Sequence, residues 1–181
     1  MRNVLLVAPL KRYPFWKQAL SAIDYYLVAH FLSAKALCAQ AIPAESEVIV
    51  AEGSTLAQAT RLGGFNKPVV LFTHSRDPVF VQQALQTGIT VVASDFSKEQ
   101  ILTAVETAIT RFHEVLCLKA RIGQLQLLLA ERKLIEKAKG LLMAQGLSEE
   151  EAFRLLRKTA MNHRLRLAEV AGRLVENKKA I

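Results

Sequence analysis

Six cations and two helix-end residues toward the C-terminal end of this 181-residue sequence have the types and spacing for binding chemistry: Lys137, Lys139, Arg157, Arg164, Arg166 and Arg173, with Asn162 and His163. Lysines and arginines spread along neighbouring helices can contact closely spaced backbone phosphates. Asn162 and His163, where a helix runs out, can reach an exposed loop base or a phosphate. The competing reading of any such run is a solvated helical face. Splitting the formal charge of +8 sharpens the choice. Residues 1–110 hold nine Lys or Arg against eight Asp or Glu, whereas residues 111–181 hold fifteen against eight, net +7. The basic character belongs to the C-terminal part, where it can neutralise phosphates.

The N-terminal part offers little catalytic chemistry. Its candidate strand ends carry Ala8, Pro9, Glu52, Thr73 and Ser94, of which only Glu52 is acidic. A magnesium site for phosphoryl transfer needs several converging oxygen ligands, and the first strand end supplies none. No GxxxxGK[ST] loop or GxGxxG turn is present, and Gly63-Gly64 follows a helical pattern and precedes a strand pattern, as a cap and turn would. These features predict no catalysis, no metal and no cofactor. Cys38 and Cys117 have no CxxC pairing and lie in apolar helical contexts, which predicts two buried thiols.

The elements that must position these residues follow from hydrophobic periodicity. Runs 3–8, 47–52, 68–73 and 88–94 are short and rich in branched apolar residues, as buried parallel strands are. A helix from Trp16 to about His30 is predicted, with a further short strand somewhere in 26–34; other helical patterns cover 54–62, 78–86 and 98 onward. Strands alternating with helices predict an α/β, flavodoxin-like parallel sheet over 1–110. From Val105 the chain runs on without a proline as one long helix. Ile109, Phe112, Leu116, Ile122, Leu125 and Leu129 fall at coiled-coil-like spacings, so 105–130 reads as a linker helix that pairs with a second copy to form a homodimer. Beyond it, Leu134, Ile135, Ala138, Leu141 and Leu142 form one stripe. Gly146 breaks the helix, Ser148 and Glu151 open the next with a capping box, and a last helix covers about 167–176. A small all-α three-helix domain is predicted, with Met143, Phe153, Leu156 and Met161 in its core and Gly140 allowing close helix approach. No apolar run approaches the roughly 18 residues of a membrane span, and the start does not suit a secretion signal, so the expected compartment is the cytoplasm.

Two resemblances follow. The N-terminal half resembles a response-regulator receiver domain in which the family's acidic pair falls on Ala8 and Pro9, its phosphoacceptor on Glu52, its Ser/Thr on Thr73 and its lysine near Ser94. That pattern implies a degenerate receiver with no phosphotransfer. "RKLIEKAKGLLMAQGLSEEEAFRLLRKTAMN", from Arg132, closely resembles the ANTAR domain of transcription antitermination regulators, with Ala138-Lys139-Gly140, Leu142-Met143, Glu151-Ala152-Phe153, Leu156-Arg157 and Ala160-Met161 on the family's landmarks. The similarity spans about 123–177. It implies an RNA-binding antiterminator of the nitrate- and amide-responsive type, recognising paired stem-loops in nascent leader transcripts and controlled by a sensor protein instead of phosphorylation. A DNA-binding response regulator with a helix-turn-helix, or a coiled-coil interaction protein without nucleic-acid binding, are the alternatives.

Overall fold

The computed structural model describes residues 2–177. Two compact units divide the chain, Met1–Leu116 and Cys117–Ile181. In the first, strands β1 (Arg2–Val7), β2 (Tyr25–Phe31), β3 (Val48–Glu52), β4 (Val69–Phe72) and β5 (Val91–Ala93) form one sheet in the order β2-β1-β3-β4-β5. Every pairing is parallel, and this order is the flavodoxin-like one. Helices α1 (Tyr13–Ser21), α2 (Ala34–Cys38), α3 (Leu56–Gly63) and α4 (Pro78–Gln86) connect the strands.

The strands are near-continuous apolar runs because both faces are covered. Alternate residues sort to opposite sides: Val4, Leu6, Val48, Val50, Val70 and Phe72 pack with Trp16, Leu20, Ile101 and Val105. Leu5, Val7, Ile49, Ala51, Val69 and Leu71 pack with Leu37, Leu62 and Ala84 on the other. Gly63 ends α3 and Gly64 caps it, as the sequence predicts. A Cβ on Gly63 would lie 1.8 Å from the carbonyl oxygen of Thr87, so the ends of α3 and α4 approach too closely for any side chain there.

Two expectations fail in this half. The helix predicted from Trp16 to His30 stops at Ser21, and the chain turns through Asp24 at φ 58° into β2. Aromatic and branched residues at 25–31 cover the otherwise open edge of β1, with a register shift between Val4 and Leu5. Cys38 is exposed rather than buried, as is Cys117 in the second unit.

Helix α5 (Lys98–Met143) has 46 residues, about 69 Å at 1.5 Å per residue. Its first part belongs to the sheet: Ile101, Ala104, Val105, Ala108 and Ile109 are buried against it. Its middle carries Leu116, Leu118, Ile122, Leu125, Leu127, Leu128 and Leu129 in the open. Its end supplies Ala138 and Leu142 to a second core, shared with Ala152, Leu156 and Ala160 of α6 (Glu149–His163) and Val170 and Ala171 of α7 (Leu167–Asn177). The three-helix domain thus consists of the end of α5 with α6 and α7. Its capping box is present: the Ser148 hydroxyl accepts from the Glu151 amide, and the Glu151 carboxylate accepts from the Ser148 amide at 2.9 Å. Donation from the Ser148 amide first, and from the Ser148 hydroxyl at 2.7 Å second, holds the Glu151 carboxyl below its usual range.

Ile109 must be removed from the proposed helix-pairing seam, since at 5% exposure it is part of its own domain's core. Phe112 is half-buried beside it. Phe153 and Met161, expected in the small core, are 43% and 70% exposed, and Met143 is also exposed. A Cβ on Gly140 would meet nothing within 4 Å, so that glycine does not mark a close helix contact.

Candidate functional site

Parallel register brings the strand ends to one edge of the sheet. Val7 pairs with Ala51, Glu52 with Phe72 and Phe72 with Ala93, which sets Ala8, Glu52, Thr73 and Ser94 at a common level. What gathers there is a closed ion pair. The Arg12 guanidinium, at the start of α1, donates Nε–H to Glu52 Oε1 at 3.0 Å and to Oε2 at 3.1 Å. Trp16, one turn further on, donates its indole N–H to Oε2 at 2.7 Å. His74 Nε2 stands 3.9 Å from Oε1, and its ring stacks on Phe96 at 4.6 Å. Arg12 also lies over the rings of Phe15 and Phe96, at 4.6 and 5.2 Å. Glu52 retains only 12% of its side-chain exposure.

The other positions add few oxygen donors to this edge. Ala8 and Pro9 bring no side-chain oxygen, and the Ala8 carbonyl is engaged by the His30 ring at 2.8 Å. The Thr73 hydroxyl is turned to accept from the Ser75 amide at 3.1 Å. Ser94 lines a different cleft, with Asp95, Gln100 and Thr103. A divalent cation needs several hard oxygen donors, and here the one acidic side chain is already matched by a guanidinium and an indole N–H. Among the described residues, no cluster of three or more His, Cys, Asp or Glu could hold a metal ion.

In the second unit the sequence-predicted cations fall into distinct environments. Lys137 and Lys139 are two residues apart, which turns them about 200° from each other around α5 on either side of the buried stripe. Lys137 is exposed. Lys139 is tucked between helices, donating to Glu149 at 2.6 Å and Glu136 at 3.1 Å. The Glu149 bond first and the Glu136 bond second raise its pKa, and the same lysine depresses the Glu149 carboxyl. Arg166 reaches Glu131 at 3.8 Å while staying largely open. His163 and Arg173 meet in one shallow cleft with Thr159, Leu165, Val170 and Leu174. Arg164 closes α6 in the left-handed conformation, φ 54°, and is exposed with Asn162 and Arg157.

Arg154 and Lys158, not singled out from the sequence, are exposed on the same helix as Arg157. Arg154 lies three residues before Arg157 and four before Lys158, so it neighbours both on the helix surface, a signal that was present in "FRLLRK". From Ala152 to Ala168 the chain has five Lys or Arg and no Asp or Glu. Partners Arg12 and Trp16 of Glu52 were also missed; they lie 40 and 36 positions away, and no local pattern connects them.

Comparison with known proteins agrees with this division. The ANTAR domain family matches residues 123–175. The transcriptional regulatory protein PdtaR of Mycobacterium tuberculosis (strain H37Rv) is 32% identical over 111 residues, 60% of this chain and 54% of that protein. The nitrate regulatory protein of Klebsiella oxytoca is 47% identical over 64 residues, 35% of this chain and 16% of its own. The chain therefore spans about half the length of PdtaR and less of the nitrate regulator. For the N-terminal unit, the signal receiver domain of a modulated diguanylate cyclase from Desulfovibrio desulfuricans G20 superposes with a TM-score of 0.52 at 19% identity, covering 62% of this chain and 97% of that one, which establishes the fold. No helix among the described residues is long and apolar enough to cross a membrane. The chain joins a receiver-like α/β domain, through one long helix, to an ANTAR domain.

Proposed function

We propose that this chain is an RNA-binding transcription antiterminator that acts as a homodimer, holding stem-loops of a nascent leader transcript so that a terminator does not form. The observation that carries this reading is the ANTAR match over 123–175 together with the acid-free cationic run from Arg154 to Arg166. Phosphates are met by Arg157, Arg164, Arg173 and Lys137, while Asn162 and His163 at the end of α6 reach loop bases. Pairing along the exposed apolar residues of mid-α5, Leu116, Ile122, Leu125 and Leu129, supplies two such faces. Control reaches the receiver-like half through a sensor protein that docks on it or on the helix, not through phosphorylation, because Arg12 and Trp16 already occupy the Glu52 carboxylate.

The test is a titration of the purified chain against the leader RNA upstream of its own gene, the matching duplex DNA and a scrambled hairpin, at moderate salt. Preference for the leader RNA is expected. Preference for the duplex DNA would make the chain a DNA-binding regulator, and retention of neither would leave an interaction protein. In a parallel arm, acetyl phosphate with magnesium should add no phosphate mass; a stoichiometric adduct on Glu52 or Asp95 would restore phosphorylation as the signal.

A further inference from the structure

Helix α6 leaves three large apolar side chains in solvent, Phe153, Leu155 and Met161, and two of them share one row. Phe153, Arg157 and Met161 follow one another at four-residue intervals, so they form a row along the outer side of the helix, with Arg154 and Lys158 as the adjoining row. The buried stripe of the same helix is Ala152, Leu156 and Ala160. One residue further on, about 100° around the axis, Phe153 and Met161 turn out of it. Met161 is 70% exposed and Phe153 43%. The buried core of the domain consists of alanine, leucine and valine, with neither side chain in it. Carboxylates of Glu149 and Glu150 border the same cleft as Phe153, so the cationic part of the face begins at Arg154.

Apolar rungs framed by guanidinium and ammonium groups do not suit a second copy of the same face, since Arg154, Arg157 and Lys158 would oppose their own kind. Nor do they suit a paired duplex, which hides its base faces and offers only phosphates and edges. They suit unpaired bases. We propose that Met161 and Phe153 form a stacking platform on which the unpaired bases of the RNA loop rest, with Arg154, Arg157 and Lys158 holding the flanking phosphates. This inference rests on the RNA-binding reading above and assigns to two side chains the discrimination of loop from duplex. A base has a flat polarisable face at either rung: a ring face for Phe153, a thioether for Met161. The platform alone selects unpaired RNA without reading its sequence.

The experiment uses a hairpin taken from the leader RNA, with 2-aminopurine in its loop, and the fully paired RNA duplex of the same sequence. The unmodified chain should bind the hairpin more tightly and change the loop fluorescence on binding. Phe153→Ala should weaken hairpin binding by roughly 5- to 150-fold per base lost from the stack, Met161→Gln by a smaller factor, and both should leave duplex binding where it was. Phe153→Tyr should retain hairpin affinity, which a purely structural role of the exposed ring would not require. Circular dichroism checks the fold; if Phe153→Ala does not fold, Met161→Gln, at an open position, decides. Equal losses on hairpin and duplex, or unchanged hairpin affinity in the folded variants, would overturn the platform while leaving RNA binding intact. Lost self-association in Met161→Gln without lost hairpin affinity would reassign the face to a second copy. An unmodified chain that binds neither RNA would instead defeat the reading on which the platform rests.

Discussion

Lys139 and Arg157 are both landmarks of the ANTAR resemblance, and they differ in what already holds them. Arg157 stands free in solvent, whereas Lys139 is bound by Glu149 and Glu136. A cation with its charge already matched releases few counterions from RNA. Arg157→Ala is therefore expected to weaken cognate and scrambled hairpins by similar factors and to reduce the log-log salt slope by roughly 0.7 to 0.9. Lys139→Ala should leave that slope nearly unchanged and instead lower the melting temperature slightly, through the lost tie between α5 and α6. Salt titrations of both variants, with thermal melts alongside, separate the two roles; an equal slope change would return Lys139 to the phosphate face. At this scale the sequence was legible where a residue's role depends on near neighbours. The Ser148 and Glu151 cap is three residues long and was foreseen. The Lys139 pairing spans ten positions and the Arg12 to Glu52 bond forty, and chain periodicity carries no information about either. Phe153 and Met161 were misplaced because the buried stripe of α6 is narrow, following the alanines and Leu156 and leaving the larger neighbours outside.

Elements were legible in proportion to how strongly their own pattern opposed the alternatives. Helix α4 begins at Pro78 and ends at Gln86 as predicted, with Asp77 as its N-cap accepting from the Val79 amide. Strand β2 was expected only somewhere in 26–34, overlapped by the preceding helix, because "YYLVAHF" lacks strict alternation and its bounds are set by pairing with β1. One side chain on that strand ties three elements together: the Tyr25 hydroxyl donates to Glu106 of α5 at 2.6 Å, and Arg2 of β1 holds the same carboxylate. Donation from Tyr25, then from Arg2, keeps the Glu106 carboxyl below its usual range, while burial foremost and the Glu106 bond next push the Tyr25 hydroxyl above its own. A depressed carboxyl stabilises the fold fully above its unfolded pKa, near 4.5, and loses that contribution as pH falls through the folded value. The raised tyrosine acts in the opposite sense, stabilising fully below its unfolded value near 10 and losing that as pH rises. Tyr25→Phe is expected to cost about 1 kcal/mol at neutral pH, the value of a hydrogen bond to a charged group discounted for a half-exposed carboxylate. Denaturant melts across the acid and alkaline ranges should show both limbs shallower than in the unmodified chain. An unchanged acid limb would mean that Arg2 alone sets the Glu106 carboxyl.

For the molecule as a whole, α5 is the element whose three stretches have different surroundings. Ile109 is packed into the sheet domain and Ala138 into the three-helix core, while between them Leu125 and Leu129 remain 47% and 58% exposed with Leu127 and Leu128 beside them. The coiled-coil rhythm found in the sequence therefore mixed two kinds of burial: its first member is covered within its own chain, and only the later ones remain for a partner helix. Single chains rarely leave so many large apolar residues together in water. If a second copy covers them, Leu125→Asp should yield a monomer with the two units still folded, since Leu125 belongs to neither core. Each monomer would keep one complete RNA face. Binding to a single hairpin should then change little, while binding to tandem hairpins should fall by a much larger factor, because the second contact loses the effective concentration that linkage to the first provided. Light scattering establishes the monomer and circular dichroism the fold. A folded Leu125→Asp monomer that held two hairpins as tightly as the unmodified chain would separate RNA binding from pairing and leave the exposed leucines for a different partner.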